Sequence, residues 1–165
     1  MPDWVEVDAS ELDDLLQDIG DAVGEFPSEL EKKMLKAAIL VEGEAKARAP
    51  HDLGDIIGRM GHEVRAVGSG IAGFVGTAAP HGPYMEYGTG TFAGGTRHWP
   101  PSEALQRWAE LHGIPSGFLV ARAIGLRGGL EPRRYLSGAM EAKEAQVIKI
   151  LGEALDKVAR RIVEA

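Results

Sequence analysis

The sequence contains no cysteine. Disulfides, thiolate metal sites and thiol nucleophiles are therefore excluded, and the core must hold by burial alone. No run approaches the roughly 20 apolar residues that a membrane span requires, so no membrane partner is expected. Lys and Arg are absent from residues 1–31, a stretch that carries eleven Asp and Glu. The opening Met1-Pro2-Asp3-Trp4-Val5-Glu6 is acidic and does not fit a secretory leader with a basic start; the expectation is synthesis and retention in the cytoplasm. The net charge of −7 also disfavours a general nucleic-acid binder, which needs a basic footprint to attract phosphate.

What is present is one domain's worth of chain. A length of 165 residues buries about 70% of the unfolded surface, enough for a core without staples. The charge is unevenly spread: beyond residue 31 the chain carries a net +4, so an acidic arm (1–27) is joined to a mildly basic body (28–165). The arm reads as a solvated, solubilising segment. Its sharper reading is docking on a neighbour's basic surface, or lining a passage that DNA crosses without sticking.

Apolar spacing predicts a short helix from Ser10, with Leu12, Leu15, Leu16 and Ile19 on one face and Gly20 and Gly24 at its end. Ser28 and Glu31 form a capping-box pattern after Pro27, and Leu30, Met34, Ala37, Ala38, Val41 and Ala45 then recur at helical spacing up to Pro50. Between Gly61 and Thr77 the period becomes that of strands, with Gly68-Ser69-Gly70 as the turn of a β-hairpin. Tyr84–Tyr87 reads as a third strand. Short helices are expected from Ser102 to Gly113 and from Ser116 to Gly125. A long amphipathic helix follows over about 137–163, with Met140, Val147, Ile150, Leu151, Ala154, Leu155, Val158 and Ile162 as its stripe. The expected fold is thus α+β: a small antiparallel sheet packed against two long helices, with short helices inserted before the C-terminal one.

The chain offers little chemistry. Five scattered histidines include no i, i+4 pair, and His81 with His98 lacks a third ligand, so no metal site is expected. Gly88-Thr89-Gly90-Thr91-Phe92-Ala93 formally matches a dinucleotide fingerprint, but Gly94-Gly95 and Pro100-Pro101 follow where a helix must start. No cofactor is expected. Glu86, between Tyr84 and Tyr87, is the best candidate for acid–base work, yet no partner group or paired acid accompanies it, so catalysis is not expected. The aperiodic 88–101 segment carries Phe92 and Trp99, large apolar side chains that either insert into a partner or fold back on the domain.

Several segments together resemble the tail-completion, or head–tail joining, proteins of long-tailed bacteriophages. Ala47-Arg48-Ala49-Pro50-His51-Asp52-Leu53-Gly54-Asp55-Ile56 is similar to that family's helix end followed by Pro-x-Asp-x-Gly-x-aliphatic. Val75-Gly76-Thr77 matches the close of its hairpin, and Tyr84-Met85-Glu86-Tyr87-Gly88-Thr89 its aromatic-x-Glu-aromatic-Gly-Thr string. Glu131-Pro132-Arg133-Arg134-Tyr135-Leu136 looks like its step into a last long helix, with Arg134 where a second proline is usual. The resemblance covers about residues 28–165 and implies a non-catalytic virion protein of the neck or tail end. It implies a homo-oligomeric ring, commonly hexameric, that joins tail tube to head connector. DNA passes through such a ring without being bound sequence-specifically. On this reading Asp52, Gly54 and Gly88 shape turns, Glu86 pairs with a basic residue, Arg133 or Arg134 being candidates, within the subunit or across an interface, and Glu86, Tyr87, Phe92, Trp99, Arg133 and Arg134 form the candidate interface. The alternatives are a cytoplasmic adaptor binding a small ligand or peptide through the 88–101 loop, and a hydrolase using Glu86 and a histidine.

Overall fold

Two long helices begin and end a computed structural model that describes residues 10–164 except 53 and 69. The first, α1 (Ser10–Arg48, 39 residues), is followed by a single turn, α2 (Asp55–Gly58), and a two-stranded antiparallel hairpin, β1 (Met60–Val67) and β2 (Gly70–Thr77). Four helical elements come next: α3 (Gly82–Tyr87), a 3₁₀ turn η1 (Gly90–Ala93), α4 (Ser102–Leu111) and α5 (Gly117–Arg127). The last helix, α6 (Tyr135–Glu164), has 30 residues. The α+β class and the helices inserted before the C-terminal one are as the sequence indicates.

Three local expectations give way. The break at Gly20–Ser28 is absent: α1 runs through Pro27, and the Ser28 capping pattern lies inside a helix. The physical reason is phase. Leu12, Leu16, Ile19, Val23, Phe26, Leu30 and Met34 keep one 3.6-residue register across the proline. Two glycines and a proline cost about 1 and 3 kcal/mol each, amounts that a continuous apolar stripe can override. The expected third strand is instead α3, with Pro83 in its first turn, where the missing N–H and fixed φ favour a helix. A run of four residues is too short for its periodicity to distinguish the two. Finally, Gly125 does not stop α5. The helix ends at Gly128, whose φ is 97°.

The chain divides into two compact units. The first takes in α1 up to Leu40, the hairpin tip His62–Phe74 and α6 from Lys143. Here Ala37, Ala38, Val147, Ile150 and Ala154 are buried. Gly73 of β2 lets the strand approach α1, since a Cβ there would stand 3.1 Å from Met34 Sδ. Lys33 pairs with Glu153 at 2.5 Å and Lys157 with Glu29 at 3.1 Å, tying α1 to α6. Lys32 and Lys157 both hold the Glu29 carboxyl below its usual range.

The second unit comprises Val41–Gly61 and Val75–Ala142. Its buried apolar residues are Val41, Ala45, Ala49, Ile56, Met60, Ala79, Ala109, Ala121, Tyr135 and Ala139. Alanine dominates this interior, and Tyr135 is its largest fully buried side chain, donating its hydroxyl to the Gly82 carbonyl at 3.2 Å. Burial first, then the neighbouring charges of Glu86 and Tyr87, raise the Tyr135 phenol above its ordinary value. Gly117 of α5 sits against the start of α4, where an added Cβ would come within 2.2 Å of the Ser102 carbonyl oxygen.

Candidate functional site

All the candidate site residues lie in the second unit, and the structure brings most of them into one clasp. The segment 85–91 runs alongside 128–134 in the opposite direction. The amide of Arg133 donates to Met85 O at 2.7 Å, that of Arg134 to Glu86 O at 3.2 Å, that of Thr89 to Leu130 O at 2.9 Å and that of Thr91 to Gly128 O at 3.0 Å. The Leu130 amide returns a bond to Thr89 Oγ1 at 2.9 Å. The string Tyr84–Thr89 and the step Glu131–Leu136 are thus two halves of one structure.

Glu86 is the centre of it. Its side chain is 3% exposed, and its two carboxylate oxygens accept from the amides of Leu136 at 2.8 Å and Ser137 at 2.9 Å. Those are amides of the first turn of α6, which have no partner inside the helix. Arg134 precedes the helix with φ 50°, and its side chain cannot accept a hydrogen bond. The acceptor therefore comes from α3, and the helix dipole favours a negative charge at this position. Glu86 was expected to pair with Arg133 or Arg134. Instead its carboxylate caps α6, and the Arg134 guanidinium bonds Glu141, nearly two turns into that helix.

Gly88 and Gly90 make the clasp possible. Gly88 has φ 74°, and a Cβ there would stand 2.6 Å from Leu130 O. Gly90 is tighter still, with a Cβ there falling 1.9 Å from Gly128 O. The 88–101 segment is consequently not an open loop. His98 N also donates to Gly128 O at 3.2 Å, and the Trp99 indole lies on Gly125 of α5, where a Cβ would meet it at 2.2 Å. Of the two readings of Phe92 and Trp99, folding back describes the backbone, while both rings stay partly exposed. Because the indole packs on α5, Trp99→Ser is expected to lower stability by about 1–3 kcal/mol in urea denaturation. Phe92→Ser should change it by less than about 1 kcal/mol.

A second cluster was not foreseen in the sequence. Asp52, expected only to shape a turn, accepts from both Trp108 Nε1–H and His112 Nε2, the latter at 2.7 Å. The His112 ring stacks on Trp108 with centroids 4.0 Å apart, and its Nδ1 lies 2.8 Å from Trp108 O. Both ring nitrogens thus face acceptors, which only the imidazolium satisfies. The Trp108 carbonyl foremost, and then the Asp52 carboxylate, raise His112 above its ordinary 6.5, with burial opposing them. A raised folded-state pKa contributes stability that is complete below 6.5 and is lost as pH rises through the folded value. The stability difference between wild type and His112→Gln should therefore shrink as pH rises from 6 to 8 in urea denaturation; a constant difference would refute a charged His112. The i, i+4 spacing of Trp108 and His112 was the available signal. The long-range partner, 56 residues away, left none.

Gly54, with φ 72°, makes the turn into α2 as the sequence implies. Beside it an open cleft of about 570 Å³ is lined by Gly54, Asp55, Gly58, Arg59, His81 and Arg107. Asp55 Oδ1 pairs with Arg59 at 2.8 Å and its Oδ2 lies 3.7 Å from His81 Nδ1. Among the described residues there is no group of three His, Asp or Glu that could hold a metal ion, and no helix long and apolar enough to cross a membrane.

Several large apolar side chains of this unit are exposed, while alanines make up most of its buried apolar residues. Tyr87 is 70% exposed, Phe118 62% and Leu126 58%, and Tyr84, Leu111, Leu119 and Met140 are also exposed. Phe118, Arg122 and Leu126, at i, i+4 and i+8, share one face of α5. Met140, assigned to the buried stripe of the last helix, lies at the surface, while Ala139 beside it is fully buried.

No protein-family model, curated protein or solved structure matches the chain.

Proposed function

We propose that this protein is a non-catalytic structural subunit of a phage neck or tail end, which assembles into a homo-oligomeric ring around the DNA channel and joins tail to head connector. The observation that carries the assembly reading is the inversion of residue size between core and surface. Alanines fill the interior of the second unit, and Tyr84, Tyr87, Phe118, Leu119 and Leu126 are exposed. Isolated exposed apolar residues are ordinary, but several large ones on one small unit mark a surface that another protein covers. The motif resemblance directs this reading to the phage neck. In support of it, Glu86 and the Gly88-Thr89 step serve backbone geometry, which is the kind of work a structural signature does. The adaptor reading has less support, because the backbone of the 88–101 loop is tied to Gly128.

The test is the native mass of the purified protein with negative-stain imaging. Discrete annular particles would support the proposal and count the subunits, whereas a monomer throughout the micromolar range would refute self-assembly. Phe118→Ser with Leu126→Ser should keep the helical circular dichroism and weaken association at least about tenfold, or roughly 1.4 kcal/mol. Unchanged association would remove the α5 face from the interface.

A further inference from the structure

The cleft beside α2 is walled by three side chains that can carry positive charge, and their counter-charge is incomplete. Asp55 serves both Arg59 and His81. Arg107, on α4, has no hydrogen-bond or ion-pair partner among the described residues. The carboxylates nearest it along α4 are engaged elsewhere: Glu103 accepts from Ser102 and Glu110 from Gln106. The floor contains Gly54 and Gly58, where an added Cβ would meet nothing within 4 Å, so the walls are open to a ligand chain.

The kind of cation matters. Between residues 47 and 142 the chain carries nine Arg and no Lys. A planar guanidinium binds a carboxylate or phosphate through two parallel hydrogen bonds, whereas an ammonium acts as a point charge. A polyanion such as DNA is opposed by the net charge of −7. Carboxylates at high density occur within the same sequence: residues 1–31 hold eleven Asp and Glu without one Lys or Arg, of which Glu29 is held by Lys32 and Lys157, and residues 10–31 form the first part of α1. The cleft lies on the same unit as the exposed Phe118, Leu119 and Leu126, a surface suited to a protein partner rather than a small ion.

We infer that the Arg59–His81–Arg107 cleft is a docking site for the acidic segment 1–31 of a second copy of this chain. The inference rests on the reading that copies assemble, and it specifies one contact by which they do so. Arg59 and Arg107 grip carboxylates of the incoming segment, and the paired Asp55 keeps the Arg59 guanidinium oriented. Complementary charge at such a contact sets which surfaces meet and makes association salt-dependent.

The test uses two full-length charge-reversed proteins. One carries Arg59→Glu and Arg107→Glu; the other carries Asp13→Lys, Asp14→Lys and Asp18→Lys. Sedimentation velocity at low salt should show each alone associating at least tenfold more weakly than wild type, and an equimolar mixture regaining association, because the unchanged acidic arm of the first protein then meets the unchanged cleft of the second. Circular dichroism establishes that both are folded; if either is not, Arg59→Gln with Arg107→Gln, read against a labelled peptide of residues 1–31, replaces the pair. Peptide binding lost in that variant supports the docking, and equal binding overturns it. If the mixture stays as weak as its components, the docking is overturned, and an arm that meets its own chain's cleft would give that result. Saturable binding of inorganic phosphate, lost with Arg107→Glu while the mixture stays apart, would identify a small-anion site instead. Wild type that assembles while all reversals leave it unchanged refutes this contact and spares the ring. Wild type that stays monomeric yet binds the peptide through Arg107 refutes the ring and spares the contact.

Discussion

Gly90→Ala is expected to lower the stability of the protein by about 2–5 kcal/mol. Two penalties combine. Gly90 sits at φ +64°, a left-handed conformation that costs an L-residue roughly 1–2 kcal/mol. Its Cβ would also fall 1.9 Å from Gly128 O and 2.9 Å from the His98 amide nitrogen. Neither neighbour is a side chain that can swing away, and Gly128 O is the acceptor for both Thr91 and His98. Relief therefore requires the 88–98 segment to leave the 128–130 turn, which adds an overpacking cost of about 1–3 kcal/mol. Gly94→Ala is the matched control: its φ is +75° but its Cβ would meet nothing within 4 Å. It should lose only the conformational part, roughly 1–2 kcal/mol. Urea denaturation of the two variants checks the difference, and hydrogen exchange at the Thr91 and His98 amides should quicken in the first alone. Equal losses would mean that the clasp is not a close backbone contact.

Glu86→Ala is expected to cost about 2–4 kcal/mol, since it leaves the Leu136 and Ser137 amides of α6 without acceptors and removes a charge that the helix dipole favours. In a chain of this length that corresponds to a fall in Tm of roughly 5–15 °C. Glu86→Gln keeps one carbonyl acceptor and the side-chain volume, so it should lose about half as much. The contrast separates capping from an ion pair. If Glu86 served mainly to neutralise Arg133 or Arg134, the Gln variant would be as damaged as the Ala variant, and Arg133→Ala with Arg134→Ala would match them. On the geometry described, that arginine double variant should change stability by less than about 1 kcal/mol, the range of an exposed ion pair. Thermal unfolding of these variants decides between the two.

The two predictions concern a single device, and its legibility in the sequence was uneven. The Tyr84–Thr89 string and the Glu131–Leu136 step were both visible as motifs, and both proved structural. Their meeting was not visible. A carboxylate that caps a helix 50 residues later looks, in one dimension, like any acidic residue among aromatics. The nearby arginines offered an ion pair, a plausible local partner for an exposed carboxylate. Burial changes that balance, because a buried carboxylate needs several directed donors, and the unsatisfied amides at a helix start supply them.

What the sequence determined by itself was whatever follows from short-range periodicity and from absent residue types. The hairpin Met60–Val67 and Gly70–Thr77, the turn at Gly54, the two short helices α4 and α5 and the long last helix follow from spacing and glycine placement. The lack of cysteine removes its chemistry whatever the fold. The tertiary structure alone decided that Tyr84–Tyr87 is helical and that Trp99 packs on Gly125. It also decided that Asp52 reaches Trp108 and His112. Each of these turns on a partner distant in sequence or on a local cost of a few kcal/mol that packing overrides, and neither leaves a mark on neighbouring residues. The same reason explains why Met140 and Leu155 lie exposed while Ala139 and Ala154 are buried. Helical spacing names the face of a helix, but the width of the gap it fills selects alanine or leucine, and only the neighbouring elements set that width.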